Sequence, residues 1–121
     1  MNHASGFVTL VDDAKTRVSE ISAEEVLANM QKSVPFLLID VREESEFAAG
    51  RIPGAAHLSK GIIECYIESK VPDKDTPMVL YCGGGYRSAL AADALQKMGY
   101  TSVLSMAGGW RAWCERGFPR Q

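Results

Sequence analysis

Phe7, Leu10, Val11, Ala14 and Val18 recur at intervals of three and four residues, which predicts an amphipathic helix over the first stretch of the chain. A short strand is expected at 18–21. Ser22 followed by Glu25 forms a capping box that opens a helix to about residue 32, with Val26, Leu27 and Met30 facing inward. Residues 36–41 are apolar apart from Asp40, the pattern of a strand buried on both faces in a parallel sheet. A helix over 44–49 is read as stopped by Gly50 at its C′ position. Ile52, Pro53 and Gly54 make a turn into a short strand at 56–58. Another helix covers 62–69, and a polar, proline-bounded loop covers 71–77. The apolar run 78–81 reads as a strand. The helix predicted over 86–98 carries Leu90, Ala91, Ala94, Leu95 and Met98 along its inner side and ends at Gly99. A strand at 102–106 and a final short helix holding Trp110, Trp113 and Cys114, closed by Gly117, complete the pattern.

Strands alternating with helices predict an α/β fold of three layers: a mainly parallel sheet of about five strands, with helices on both faces. Ligands of such sheets gather beyond the carboxyl ends of the strands. Asp40 and Cys82 both fall at strand ends. The 121 residues suit one domain, without internal repeat or low-complexity segment. Thirteen basic against fifteen acidic side chains, in no like-charged block, argue against nucleic-acid or anionic-membrane partners. No apolar run approaches a membrane span, and the first residues lack a secretory signal pattern.

The three cysteines, Cys65, Cys82 and Cys114, have neither disulfide-framework nor zinc-site spacing, so no metal site is expected and a reducing, cytoplasmic setting is the simplest reading. Cys65 and Cys114 lie beside Tyr66, Ile67 and Trp113 and read as buried or half-buried structural thiols. Cys82 is different. It ends an apolar strand and is followed by Gly83, Gly84, Gly85, Tyr86, Arg87 and Ser88 at the start of a helix. Backbone N–H groups and the positive end of the helix dipole converge at such a place and favour an anion. A thiolate there is a nucleophile. The three glycines allow the loop to curl into an anion-binding nest. Tyr86 either flanks that nest or is a first-turn helix residue. Arg87 either grips an anionic donor or pairs with a carboxylate such as Asp40 or Glu46. Ser88 reads most simply as a helix cap. The Asp40 carboxylate needs a partner, which Arg42, Arg51 or Arg87 could supply. His57 reads as a satisfied structural residue and Trp110 as a core anchor.

Four segments in order resemble the rhodanese family of sulfurtransferases. Residues 38–43 with Glu46 and Phe47 are similar to its first motif, and 50–55 with His57 and Leu58 to its second. Residues 82–88 are similar to its Cys-x-x-Gly-x-Arg-Ser loop, and Gly108, Gly109 and Trp110 to its closing motif. The resemblance implies a rhodanese domain over 18–121, preceded by a helical extension over 1–17. It implies sulfur carried as a persulfide on Cys82, between a donor (thiosulfate, or a thiol or protein persulfide) and a thiophilic acceptor such as cyanide or a thiol. It further implies no cofactor, a supporting rim of Asp40, Arg42 and Arg51, and small-molecule or protein sulfur partners; the amino-terminal helix permits a homodimer as well as a monomer.

Thiosulfate-using members of the family often carry basic residues just after the cysteine, where this chain has Gly83 and Gly84. That departure points toward a thiol persulfide or protein donor. Two other readings compete. The first is a cysteine phosphatase or arsenate reductase; phosphatases that resemble this fold use a loop one residue longer, with Arg six positions after Cys rather than five. Regulatory or docking copies of the domain generally lose the cysteine.

Overall fold

The computed structural model describes residues 3–121. The elements in order are α1 (Ser5–Lys15), β1 (Ser19–Ile21), α2 (Ala23–Gln31), β2 (Leu37–Asp40), α3 (Glu44–Ala49), β3 (Ala56–His57), α4 (Ile63–Lys70), β4 (Met78–Tyr81), α5 (Tyr86–Lys97), β5 (Val103–Met106) and α6 (Gly109–Glu115). The five strands form one sheet in the order β1-β5-β4-β2-β3, with every neighbouring pair parallel.

β4 is buried along its whole length, and its side chains alternate between two cores. Met78, Leu80 and Cys82 face Ile63, Ile67 and Leu95 of α4 and α5. Val79 and Tyr81 face Val26 of α2, Ile52, and Trp113 of α6. The chain leaves β2 toward the β3 edge and leaves β4 toward β5. The loops after these adjacent strands therefore part, opening a crevice at the carboxyl edge of the sheet. Cys82 follows β4 and Asp40 ends β2, so both lie at that edge of the sheet.

α2 is capped as its sequence suggests, with Ser22 Oγ accepting from Glu25 N–H at 3.1 Å. Other local expectations give way to tertiary packing. Gly50 is extended (φ 166°) rather than left-handed, so it does not end α3 as a C′ glycine. A Cβ at this position would lie 3.2 Å from the Trp110 ring, and that close approach accounts for the glycine. In α5 the buried residues include Ala89, Ala91, Ala92 and Leu95, while Leu90 and Ala94 are only half-buried. The helix is buried on more than one side because α1 lies along it, with Val11 and Ala14 enclosed. Cys65 is exposed rather than structural, and Tyr66 beside it is half exposed.

The contact between the two helices is fastened by Arg17, whose Nε and Nη2 donate to Asp93 Oδ1 and Oδ2 at 2.9 and 2.8 Å. Lys97 Nζ approaches the same carboxylate at 3.2 Å. The Arg17 hydrogen bond holds the Asp93 carboxyl below its ordinary range. A depressed carboxyl pKa stabilises the fold at neutral pH, and that contribution is lost as pH falls through the lowered value, below about 4. Asp93→Asn should therefore lower Tm at pH 7, with the gap to wild type narrowing toward pH 3. A gap that stays constant between these pH values in thermal melts would overturn this account.

Candidate functional site

Cys82 is 1% exposed, and its sulfur meets two backbone donors: Gly85 N–H at 3.1 Å and Ser88 N–H at 3.4 Å. The cradle forms because Gly85 takes a left-handed conformation (φ 93°), turning the loop directly into α5. The sulfur therefore faces the positive end of a 12-residue helix. Gly83 and Gly84 do not share this backbone requirement, since neither has a positive φ. Their contribution is an absence of side chains on the face above the sulfur.

Ser88 is the third residue of α5 and not its cap, a position held by Gly85. Its hydroxyl lies 3.5 Å from the Cys82 sulfur and 2.8 Å from Ser105 Oγ. Ser105, fully buried in β5, does not stand out in the sequence except as a polar residue inside an apolar strand. Arg87 turns away from Asp40 and forks onto Glu46, with Nη1–Oε1 at 2.9 Å and Nη2–Oε2 at 3.3 Å. Arg87 holds the Glu46 carboxyl below the usual range, and Glu46 in turn raises the guanidinium pKa. The Arg87 charge is thus a paired one. Glu46 Oε1 also accepts Glu43 N–H at 3.0 Å, which anchors it to the start of α3.

Asp40 and Arg42 lie beneath the crevice rather than on its rim, at 0% and 3% exposure. Arg42 Nη2 reaches Asp40 Oδ2 and the Gly50 carbonyl, both at 2.6 Å. Its Nε and its own backbone N–H each donate to Asp40 Oδ1 at 3.0 Å. The guanidinium carbon is 4.9 Å from the centre of the Trp110 ring and 5.7 Å from that of Tyr81. Burial opposes the Arg42 charge, but the Asp40 carboxylate outweighs it and raises the guanidinium pKa. His57 Nε2 lies 2.8 Å from the Arg42 carbonyl, and its ring stacks on Phe47. Arg51 is apart from this group. Its guanidinium covers Phe47, and its backbone pairs with Gln121.

α6 is held against the cysteine loop by Trp110 N–H, which donates to the Cys82 carbonyl at 2.7 Å, and Arg111 N–H, which donates to the Gly83 carbonyl at 3.0 Å. Gly109 makes this approach possible. Its φ is 54°, and a Cβ there would strike the Cys82 carbonyl oxygen and stand 2.8 Å from the Gly83 carbonyl carbon. Gly109→Ala should cost about 2–4 kcal/mol, combining left-handed strain with a backbone clash. Urea denaturation measures it, and a loss under about 1 kcal/mol would mean that α6 shifts freely.

Above Cys82 lies an open cavity of about 760 Å³. Gly83, Gly84, Tyr86, Arg87 and Glu46 line it, as do Trp110, Arg111, Cys114 and Glu115 of α6 and His3 and Phe7 from the amino-terminal segment. Asp40, Arg42 and Arg51 do not. Trp110 thus borders the cavity as well as packing on Arg42, and the half-buried Cys114 shares the cavity with Cys82. The sequence carries no local signal that His3 and Phe7 reach this place, since the period that begins at Phe7 marks a helix but not what it covers.

A parallel α/β domain with one buried thiol in an amide cradle, at the carboxyl edge of its sheet and beneath an open cavity, is the class that fold and site define. Residues 22–116 match the Rhodanese-like domain family. The chain is 37% identical over 102 residues to a sulfurtransferase of Allochromatium vinosum, covering 84% of this chain and 94% of that one. It is 31% identical over 101 residues to the thiosulfate sulfurtransferase GlpE of Haemophilus influenzae, covering 83% and 91%. Among solved structures, it is similar to a Rhodopseudomonas palustris protein of unknown function described as a possible tyrosine phosphatase. That likeness has a TM-score of 0.86 and 29% identity, over 100% of this chain and 98% of that one. The chain belongs to the rhodanese-like family. No helix among the described residues is long and apolar enough to cross a membrane.

Proposed function

We propose that this protein is a sulfurtransferase that carries sulfane sulfur as a persulfide on Cys82. The observation that carries the reading is the pair of N–H groups, from Gly85 and Ser88, converging on the sulfur at the head of α5. With a thiol persulfide donor, the Cys82 thiolate attacks the outer sulfur. A new S–S bond forms to Cys82, the donor's S–S bond breaks, and the donor leaves as a thiolate. The Cys82 persulfide gives up its proton to solvent or to that thiolate, and its terminal anion is held by the cradle and the helix dipole. An acceptor such as cyanide or a thiol then attacks the terminal sulfur and releases the Cys82 thiolate. No metal or organic cofactor is needed, because the cysteine sulfur does the carrying. The partners in this reading are small sulfur donors and acceptors, or proteins serving those roles, in the cytoplasm.

The donor we favour is a thiol persulfide. Arg87 is already engaged by Glu46, and Gly83 and Gly84 add no charge for a sulfonate. Intact-protein mass spectrometry after equal exposure to thiosulfate and to a thiol persulfide should show faster gain of one sulfur atom from the persulfide, reversed by cyanide. Clearly faster loading from thiosulfate would overturn that preference.

The description of the Rhodopseudomonas palustris neighbour suggests a second reading, phosphate-ester hydrolysis. The loop argues against it. Five positions separate Cys82 from Arg87, a tight cradle for one sulfur but short for a tetrahedral phosphate. Brisk hydrolysis of an aryl phosphate would favour the phosphatase reading instead.

A further inference from the structure

The cavity above Cys82 is much larger than inorganic sulfur chemistry requires. Thiosulfate has five heavy atoms and takes roughly 150 Å³ at about 30 Å³ per atom, the share of a water molecule in the liquid. The cavity of about 760 Å³ falls instead within the range of sites for organic ligands. Its lining charges cancel, with Arg87 and Arg111 set against Glu46 and Glu115. No excess of cations is aimed at a dianion.

One wall is aromatic. The Tyr86 ring centre lies 4.2 Å from that of His3 and 5.9 Å from that of Phe7, whose plane is within 20° of its own. His3 and Phe7 are 5.3 Å apart, so the three rings form one cluster. Lys15 lies 5.4 Å from the Tyr86 ring centre and braces the cluster from α1. All three rings line the same cavity as Cys82, and Trp110 adds a fourth. His3 and Phe7 lie outside the residues that match the family, whereas Tyr86 lies within them, so the wall joins the amino-terminal segment to the cysteine loop. Gly83 and Gly84 line the cavity between these rings and Cys82 without side chains of their own. A Cβ at Gly83 would stand 3.1 Å from the Arg87 guanidinium, and one at Gly84 would touch only the Tyr86 ring at 4.0 Å.

From this juxtaposition we infer that His3, Phe7 and Tyr86 form a subsite for the carbon skeleton of an organic sulfur substrate. The substrate is a thiol or thiol persulfide bearing an aryl or similarly flat apolar group, which the wall holds while its sulfur reaches Cys82. The inference rests on the sulfur-carrier reading of Cys82 for the identity of the reacting atom, but the subsite can be tested without sulfur transfer.

Benzyl methyl sulfide carries the aryl group and a sulfur but cannot exchange with thiols. Titrated into the native protein and followed by NMR, it should bind saturably and give intermolecular NOEs to the Phe7 and Tyr86 rings. Phe7→Ala should weaken binding about tenfold, the scale of one lost aromatic contact, and Phe7→Leu less. The NOEs in the unaltered chain decide the matter even if Phe7→Ala loosens α1. Absence of saturable binding, NOEs confined to other residues, or equal affinity in Phe7→Ala would each overturn the subsite. Aryl binding at these rings in a chain that cannot be persulfidated would support the subsite and remove the carrier reading. Persulfide loading without aryl binding would overturn the subsite alone.

Discussion

Cys82→Ser should abolish sulfur loading: under the proposed mechanism the native chain gains one sulfur atom from a thiol persulfide, and the substituted chain is expected to gain none. The turnover to cyanide falls on the order of 10⁴-fold or more, as when a covalent nucleophile is removed. The expectation follows from the cradle. A serine hydroxyl accepts the Gly85 and Ser88 N–H groups and keeps the fold, but it is not a thiolate and cannot hold a sulfane sulfur. The two remaining thiols make the experiment informative, since Cys65 is exposed and Cys114 borders the same cavity. A mass gain that persists in Cys82→Ser would move the carrier to one of them and overturn the mechanism. A docking role, by contrast, would survive the substitution, and its survival with no loading in the native chain would favour the binding-module reading.

Arg42→Ala destabilises the protein by about 3–5 kcal/mol, because it leaves the Asp40 carboxylate charged and unpaired in the interior. Asp40 is fully buried, and its pairing depends on the Arg42 guanidinium and the Arg42 backbone N–H. The substitution also strips the hydrogen bond on the Gly50 carbonyl and the cation stacked on Trp110. Arg42→Lys should recover only part of the loss, since an ammonium cannot reproduce the fork that joins Asp40 to Gly50. Replacing both partners by apolar residues of similar volume should be far less costly than Arg42→Ala alone, because no orphan charge remains. Equilibrium urea denaturation separates these cases. A loss below about 1 kcal/mol for Arg42→Ala would mean that Asp40 finds water or another partner, and the buried pair would lose its importance.

Tyr81 illustrates how the same burial serves both structure and site. Burial raises its phenol pKa well above the ordinary tyrosine range, so it stays neutral and accepts Ile52 N–H at 3.2 Å. The strand that delivers Cys82 to the crevice is thereby fastened to the turn after α3.

The sequence by itself determined the elements whose cause is local. Apolar runs and helical periods marked the strands and most of the helices to within a residue or two, although the first helix stops at Lys15 and does not reach Val18. The Ser22 cap, the buried β2 and β4 runs, and a cysteine between a strand and a glycine turn were readable because each depends on neighbours only a few residues away. What the tertiary structure decided was partnership. Three arginines could have answered Asp40, and packing selected Arg42. Arg87 met Glu46, 41 residues distant in sequence, only because β2 and β4 are adjacent and the loops beyond them part at their carboxyl ends. Ser88 became a partner of the sulfur and of Ser105 rather than a cap because the left-handed Gly85 takes the cap position and leaves Ser88 in the first turn. Gly50 and Gly109 owe their identity to a ring and a carbonyl that approach from α6 and the cysteine loop, and His3 and Phe7 reach the cavity because α1 lies along α5. Such contacts depend on strand order and helix packing, which are set by burying all the apolar faces together, so no single stretch of the chain encodes them.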